Sequence, residues 1–179
     1  LMEGKWMPYM AVSETGKEYL EREYLNLIRL RKEYFFDFIP TGYAYNCIQI
    51  DNNRKLKMFL GEWFEDYHEF HVCRDSSDNQ LKICVWDDLN GRYFLSGEQM
   101  LRLYRQAARI LTCYYNPATF EHISPWHHAA GDFILKLDQN CLDLKLITVR
   151  GYVPLFQDLS KTKSGPGNAE QILQALLIF

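Results

Sequence analysis

The chain reads as an α+β protein in which a β-rich N-terminal part carrying one helix precedes a helical part. Three observations predict this class. Residues 18–33 and 97–115 place apolar side chains at helical spacing behind candidate caps. Residues 41–51, 56–64, 69–74 and 81–86 are short β-branched and aromatic runs separated by polar turns. The 179 residues are 47% hydrophobic and 15% aromatic, enough to bury a core in one domain or two small lobes.

The elements follow in order. Residues 6–12 are short, apolar and aromatic, a strand with Pro8 near its start or on an edge. Thr15-Gly16-Lys17-Glu18 resembles a capping box, so a helix is expected from there to about Glu33, with Leu20, Tyr24, Leu27, Ile28 and Arg31 recurring along it. Two hairpins come next. The first turns at 51–55 and the second at 75–79, where Leu81, Ile83 and Val85 alternate against Lys82 and Cys84. Ser96-Gly97-Glu98-Gln99 is a second capping box, and Met100, Leu103, Tyr104, Ala107, Ala108, Leu111 and Tyr115 mark the apolar face of the helix, which ends at Asn116-Pro117. Residues 133–136 and 142–148 read as two strands joined at Asp138-Gln139-Asn140, and 160–168 as a loop before a final helix capped by Asn168.

Charge and composition narrow the partners. A net charge of −3 and a pI near 6.0 give no footprint for nucleic acid, and no basic run suggests a membrane surface. No apolar run approaches the roughly 18 residues of a membrane span, and the first residues lack the layout of a signal peptide, so a cytoplasmic protein is expected. The five cysteines are scattered without a Cys-x-x-Cys pair, which fits reduced thiols; Cys73 and Cys84 can face each other across one hairpin. The apolar end, Leu176-Leu177-Ile178-Phe179, suggests part of a longer chain.

Ionisable chemistry concentrates between the second helix and the last hairpin, in Ser124-Pro125-Trp126-His127-His128-Ala129-Ala130-Gly131-Asp132. There His127 is a candidate general base and Asp132 a candidate cation ligand or a support for that imidazole; the bland alternative is a packed loop whose rings bond backbone carbonyls. His68, His71 and Cys73 suggest zinc only weakly, because on a strand His68 points away from the other two. Glu62 and Trp63, with Glu65, Asp66, Tyr67 and Glu69 nearby, suggest a pocket that stacks an aromatic ring or, more plainly, a half-exposed strand and turn. Asp87 and Asp88, before Leu89-Asn90-Gly91, read as turn residues. No glycine-rich nucleotide fingerprint, P-loop or nucleophile elbow is present.

The order strand, helix, two strands, connector, long helix, His-containing loop and short hairpin resembles the protein-kinase-like fold, in its aminoglycoside and small-molecule phosphotransferase branch. Ala11-Val12-Ser13-Glu14 and Leu20-Glu21-Arg22-Glu23-Tyr24-Leu25 are similar to the third strand and the helix with the ion-pairing Glu, placed at Glu23. Phe59-Leu60-Gly61-Glu62-Trp63 is similar to the strand entering the nucleotide hinge, and 107–135 to the helix leading into the catalytic loop. Leu144-Lys145-Leu146-Ile147-Thr148 is similar to the strand reaching the second metal-binding acid. Departures accompany these matches. Ala11 or a neighbour stands where the strand lysine belongs, His127 where the catalytic Asp belongs, Asp132 at the metal-binding Asn, and Thr148 at the second metal acid; the glycine-rich loop would precede Leu1 or be missing.

The resemblance implies a two-lobed arrangement, with residues 1–92 as the β-rich lobe and 93–179 as the helical lobe. It implies a nucleotide or small ligand between them, and ATP with Mg²⁺ for phosphoryl transfer. Its site residues are His127 and Asp132 as catalytic groups, Asp132 as metal ligand, and Glu23, Glu62 and Trp63 as cofactor-binding groups. The alternative is a catalytically inactive, pseudokinase-like scaffold that presents exposed aromatics such as Trp63, Tyr67 and Trp126 to another protein.

Overall fold

The structure, a computed structural model, describes residues 5–52, 54–124, 132–139 and 141–154. Trp126, His127, His128 and the expected loop and helix beyond residue 160 lie outside the described residues.

Ser13 starts the first helix. Its backbone is extended (φ −69°, ψ 149°) and its hydroxyl accepts from the Gly16 amide at 3.2 Å, so α1 spans Glu14–Glu33 directly behind β1, Trp6–Ala11. The expected Thr15 cap is corrected by two residues, because Thr15 already lies inside the helix. The buried stripe of α1 is Lys17, Leu20, Glu23, Leu27 and Leu30, whereas Ile28, expected inside, is 42% exposed. Tyr24 leaves the stripe sideways to stack on Tyr45 and lean against Phe59.

That aromatic cluster fastens α1 to the first sheet. β2 (Gly42–Gln49) and β3 (Lys55–Glu62) form the expected hairpin, and β1 pairs with the free side of β3, giving the antiparallel order β1-β3-β2. Phe59 sits buried in the middle strand, its ring 4.5 Å from Tyr9 and nearly parallel to it. Gly61 permits this crossing, since a Cβ there would stand 2.8 Å from the Tyr9 ring.

The second sheet has a strand more than the alternation predicts. β4 (Glu69–Arg74), β5 (Leu81–Asp87) and β6 (Gly91–Phe94) lie in sequence order. Asp87 makes the turn into β6 by accepting the Leu89 and Asn90 amides at 2.9 Å, and Gly91 takes φ +85°. Leu81, expected inside, is 62% exposed, while Ile83, Cys84 and Val85 are buried in succession because both faces of mid-β5 are covered.

α2 spans Gly97–Cys113 behind a complete capping box, Ser96 Oγ accepting from the Gln99 amide and Gln99 Oε1 from the Ser96 amide. Leu103, Ala107, Ile110 and Leu111 are buried; Tyr104, expected on that face, is 42% exposed. Beyond it, β8 (Phe133–Asp138) and β9 (Cys141–Leu146) form the expected hairpin. Two strands of three residues, β7 (Glu121–Ile123) and β10 (Tyr152–Pro154), pair antiparallel. They are too short for alternation to reveal.

The class is therefore mixed α+β, with four small antiparallel sheets and two helices among the described residues. Backbone bonds join the parts: His68 and Leu135 exchange two at 2.8 and 3.0 Å, and the Leu146 amide donates to Phe38 O at 2.8 Å. Arg29 of α1 grips Glu121 of β7 with two bonds of 2.7 and 2.8 Å. One buried cluster runs through Leu27, Leu30, Phe59, Val85, Ile110, Leu135 and Leu144, with members on both sides of residue 92. Among the described residues no helix is long and apolar enough to cross a membrane.

Candidate functional site

Glu23 is the one carboxylate in the buried stripe of α1, only 7% exposed, and its partners lie on the segment that follows β9. Its Oε1 accepts from the Val149 amide at 2.7 Å and its Oε2 from the Thr148 hydroxyl at 2.9 Å. One turn along α1, Asn26 Nδ2 donates to the Val149 carbonyl at 2.8 Å, so α1 holds both ends of that residue. Burial pushes the Glu23 carboxyl above its ordinary value, against the pull of the Val149 amide, the Thr148 hydroxyl and the nearby Arg150.

Arg150 ties this junction to Asp132. Its Nη1 donates to Thr148 Oγ1 at 3.0 Å and its Nη2 stands 3.9 Å from Asp132 Oδ1. Asp132 is 3% exposed at the entrance of β8, where its carbonyl accepts from the Ile147 amide at 2.8 Å. Three sequence candidates, Glu23, Thr148 and Asp132, thus gather around one arginine. Sequence reasoning missed Arg150; the available signal was a cation placed directly after an apolar strand, opposite a helix with an acid in its core stripe.

A cavity of about 280 Å³ opens at the junction, lined by Tyr9, Ala11, Tyr19, Glu23, Phe59 and Arg150 among others. Its walls are mostly apolar and aromatic, suited to a flat ring, and Arg150 is the only cation among its described lining residues. No lysine reaches it from β1. Lys17, the buried lysine of α1, pairs instead with Glu14 at 2.7 Å, and Lys57 of β3 with Glu21. The Tyr9 hydroxyl is shifted upward, mainly by burial and also by the Glu23 charge.

Other candidates lie elsewhere. Glu62 accepts from the Thr41 amide at 3.0 Å and stands 4.0 Å from Arg31, and Trp63 is 46% exposed with its amide on the Lys5 carbonyl; neither lines the cavity that contains Glu23. His127 lies outside the described residues. His71 packs against Trp86 with ring centroids 3.9 Å apart, and Cys73 and Cys84 are free thiols. Among the described residues no three His, Cys, Asp or Glu side chains gather to hold a metal ion. Asp87 is an acid of the turn, drawn down to about 2 by its bonds from the Asn90 side chain and amide. The Tyr67 hydroxyl donates to Asp143, so this tyrosine is engaged within the fold.

Comparison with protein-family models, with curated proteins and with solved structures found no match to this chain.

Proposed function

We propose that this chain is a kinase-like domain that binds a nucleotide or another small ligand in the cleft where α1 and the β1-β3-β2 sheet meet the end of β9. The observation that carries this reading is the junction of Glu23 with Thr148 and Val149. The acid that the resemblance assigns to the helix touches the residue standing at the second metal-acid position. Two features add support: the helix lies on a sheet whose last strand in sequence, β3, is central, and an apolar, aromatic cavity adjoins the acid. In this reading residues 1–92 and 93–179 are the two lobes, Arg150 supplies the positive charge that β1 lacks, and the protein is cytoplasmic.

ATP with Mg²⁺ is the ligand pair this reading implies. Mg²⁺ takes one or two protein carboxylates together with substrate phosphates, and Asp132, buried at the rim of β8 beside Arg150, would be the protein carboxylate offered to it. Bound there, the metal would neutralise phosphate charge. Arg150 would orient an anionic group, the cavity walls would exclude water, and His127 would accept the proton of an attacking hydroxyl. A second reading, a catalytically inactive module that binds another protein through side chains such as Trp63, is favoured by one observation: both oxygens of Glu23 are already held by Thr148 and Val149.

Calorimetry with ATP, with and without Mg²⁺, tests the proposal. Saturable binding at or below about 1 mM is expected, and Asp132→Asn should weaken the Mg²⁺-dependent part about tenfold. Absence of binding by the folded chain refutes nucleotide recognition; binding without γ-phosphate release favours the second reading.

A further inference from the structure

A second cavity, of about 370 Å³, lies beyond Thr148 and Arg150 and has a different chemistry. Tyr19 and Arg22 of α1 form one wall, Ser124 at the end of β7 another, and Thr148, Arg150 and Gly151 the third. No carboxylate is among its described lining residues. The wall is fixed by backbone, because the Ser124 amide donates to the Gly151 carbonyl at 2.9 Å beside the β7 and β10 pairing.

Both arginines have donors to offer. Arg22 is solvent-exposed, and its guanidinium lies 4.9 Å over the Tyr19 ring, a contact that orients the group while leaving its edge N–H groups free of that partner. Arg150 spends one N–H on Thr148, and its distance of 3.9 Å to Asp132 exceeds a hydrogen bond. Two planar forks and the Ser124 hydroxyl bordering one open cavity make a donor set that matches a tetrahedral dianion, whereas the Thr148 O–H is already given to Glu23. A chain of net charge −3 does not place two arginines around a pocket with no carboxylate among its described lining residues as part of a generally basic surface.

We propose that this pocket binds the phosphate group of a small phosphate monoester, with Arg22 and Arg150 as its anchors. Arg150 borders both this pocket and the cavity that contains Glu23, whereas Arg22 lines this pocket alone, so Arg22 is the residue whose replacement reports on the ester and not on the nucleotide. The open volume beside the arginines accommodates the organic part of the ester, which separates an ester from inorganic phosphate as the occupant.

The test titrates the whole chain, at constant ionic strength, with inorganic phosphate, with glucose 6-phosphate and with glucose, read by calorimetry and thermal shift. Glucose 6-phosphate should bind saturably and more tightly than inorganic phosphate, and glucose should not bind. Arg22→Gln, at an exposed position that does not endanger folding, should weaken the ester about tenfold or more, with Arg22→Lys in between because a point charge replaces the fork. Arg102→Gln, on the exposed side of α2, should bind as the parent chain does. No saturable binding by about 10 mM ester overturns the proposal, as does equal binding of glucose, retention of affinity in Arg22→Gln, or an equal loss in Arg102→Gln. ATP binding that persists in Arg22→Gln while the ester signal disappears shows the two sites to be separate, so either can fail without the other.

Discussion

Replacing Glu23 separates what its charge does from what its shape does. In Glu23→Ala the Val149 amide and the Thr148 hydroxyl both lose their acceptor in a buried place. At about 1–3 kcal/mol for each orphaned donor, with a cavity added, the loss should be about 3–5 kcal/mol. Glu23→Gln keeps one oxygen for the Val149 amide but turns an NH₂ toward Thr148 Oγ1, so one charge-assisted bond of about 1.5–3 kcal/mol disappears. Against that loss stands the desolvation of the carboxylate, which is large enough here to hold the carboxyl above its ordinary value despite its bonds. The two terms oppose each other, and Glu23→Gln should lie within about 1 kcal/mol of the parent chain at neutral pH, or about 2–4 °C in Tm.

The pH dependence follows with a definite sign. Because the folded-state pKa of Glu23 is raised, the native state keeps a proton that the unfolded chain has already released. Its stabilising contribution is complete below the unfolded value of about 4.3 and is lost as pH rises through the folded value. Gln carries no such proton. The Tm of Glu23→Gln minus that of the parent should therefore increase as pH rises through this window, with the other titrating groups cancelling in the difference. Thermal unfolding of both chains from acid to neutral pH measures it. If Glu23→Gln is as damaging as Glu23→Ala and the difference falls with rising pH, then the carboxylate stabilises the fold as an anion and the reasoning is refuted.

Glu121 behaves in the opposite sense, since the Arg29 guanidinium, through paired bonds, lowers its pKa, so its contribution is present above about 4.3 and lost as pH falls through the lower folded value. Glu121→Gln should remove about 1 kcal/mol at neutral pH, a modest figure because Arg29 is 39% exposed, and should flatten the acid limb of the stability curve. Leu144→Ala, at a fully buried position of β9, should lower stability by about 2–5 kcal/mol in urea denaturation with an unchanged m-value.

Long periodic elements and polar turns were legible in the sequence, and their placement in space was less so. Ser96 and Gln99 identify the start of α2 because both halves of the reciprocal cap are side chains in fixed register. Thr15 misleads for α1 because the same spacing occurs two residues after Ser13, whose extended backbone makes it the cap. Leu81 and Tyr104 fit an inward pattern yet are exposed, since periodicity tells which residues share a face and not where the covering element ends. β7 and β10 carry no pattern in three residues, and only their pairing brings Gly151 next to Ser124. Glu23, Thr148 and Asp132 could be named from resemblance; the arginine among them could not, because its role depends on a contact across 127 residues of chain to α1, made through Thr148.

Arg150 explains how this region tolerates buried acids. Glu23 and Asp132 are each less than a tenth exposed, and an isolated carboxylate in such a place pays heavily for lost hydration. Arg150 lies between them, bonded to Thr148, which in turn donates to Glu23, so its charge acts on one acid through a hydroxyl and on the other across 3.9 Å. The arginine itself is 53% exposed and borders both cavities. A group that is half in water changes partners at small cost, whereas Glu23 is held by the Val149 amide and the Thr148 hydroxyl and Asp132 is buried at the entrance of β8. An anion drawn to Arg150 from either cavity would therefore compete with Thr148 and Asp132 for the same guanidinium.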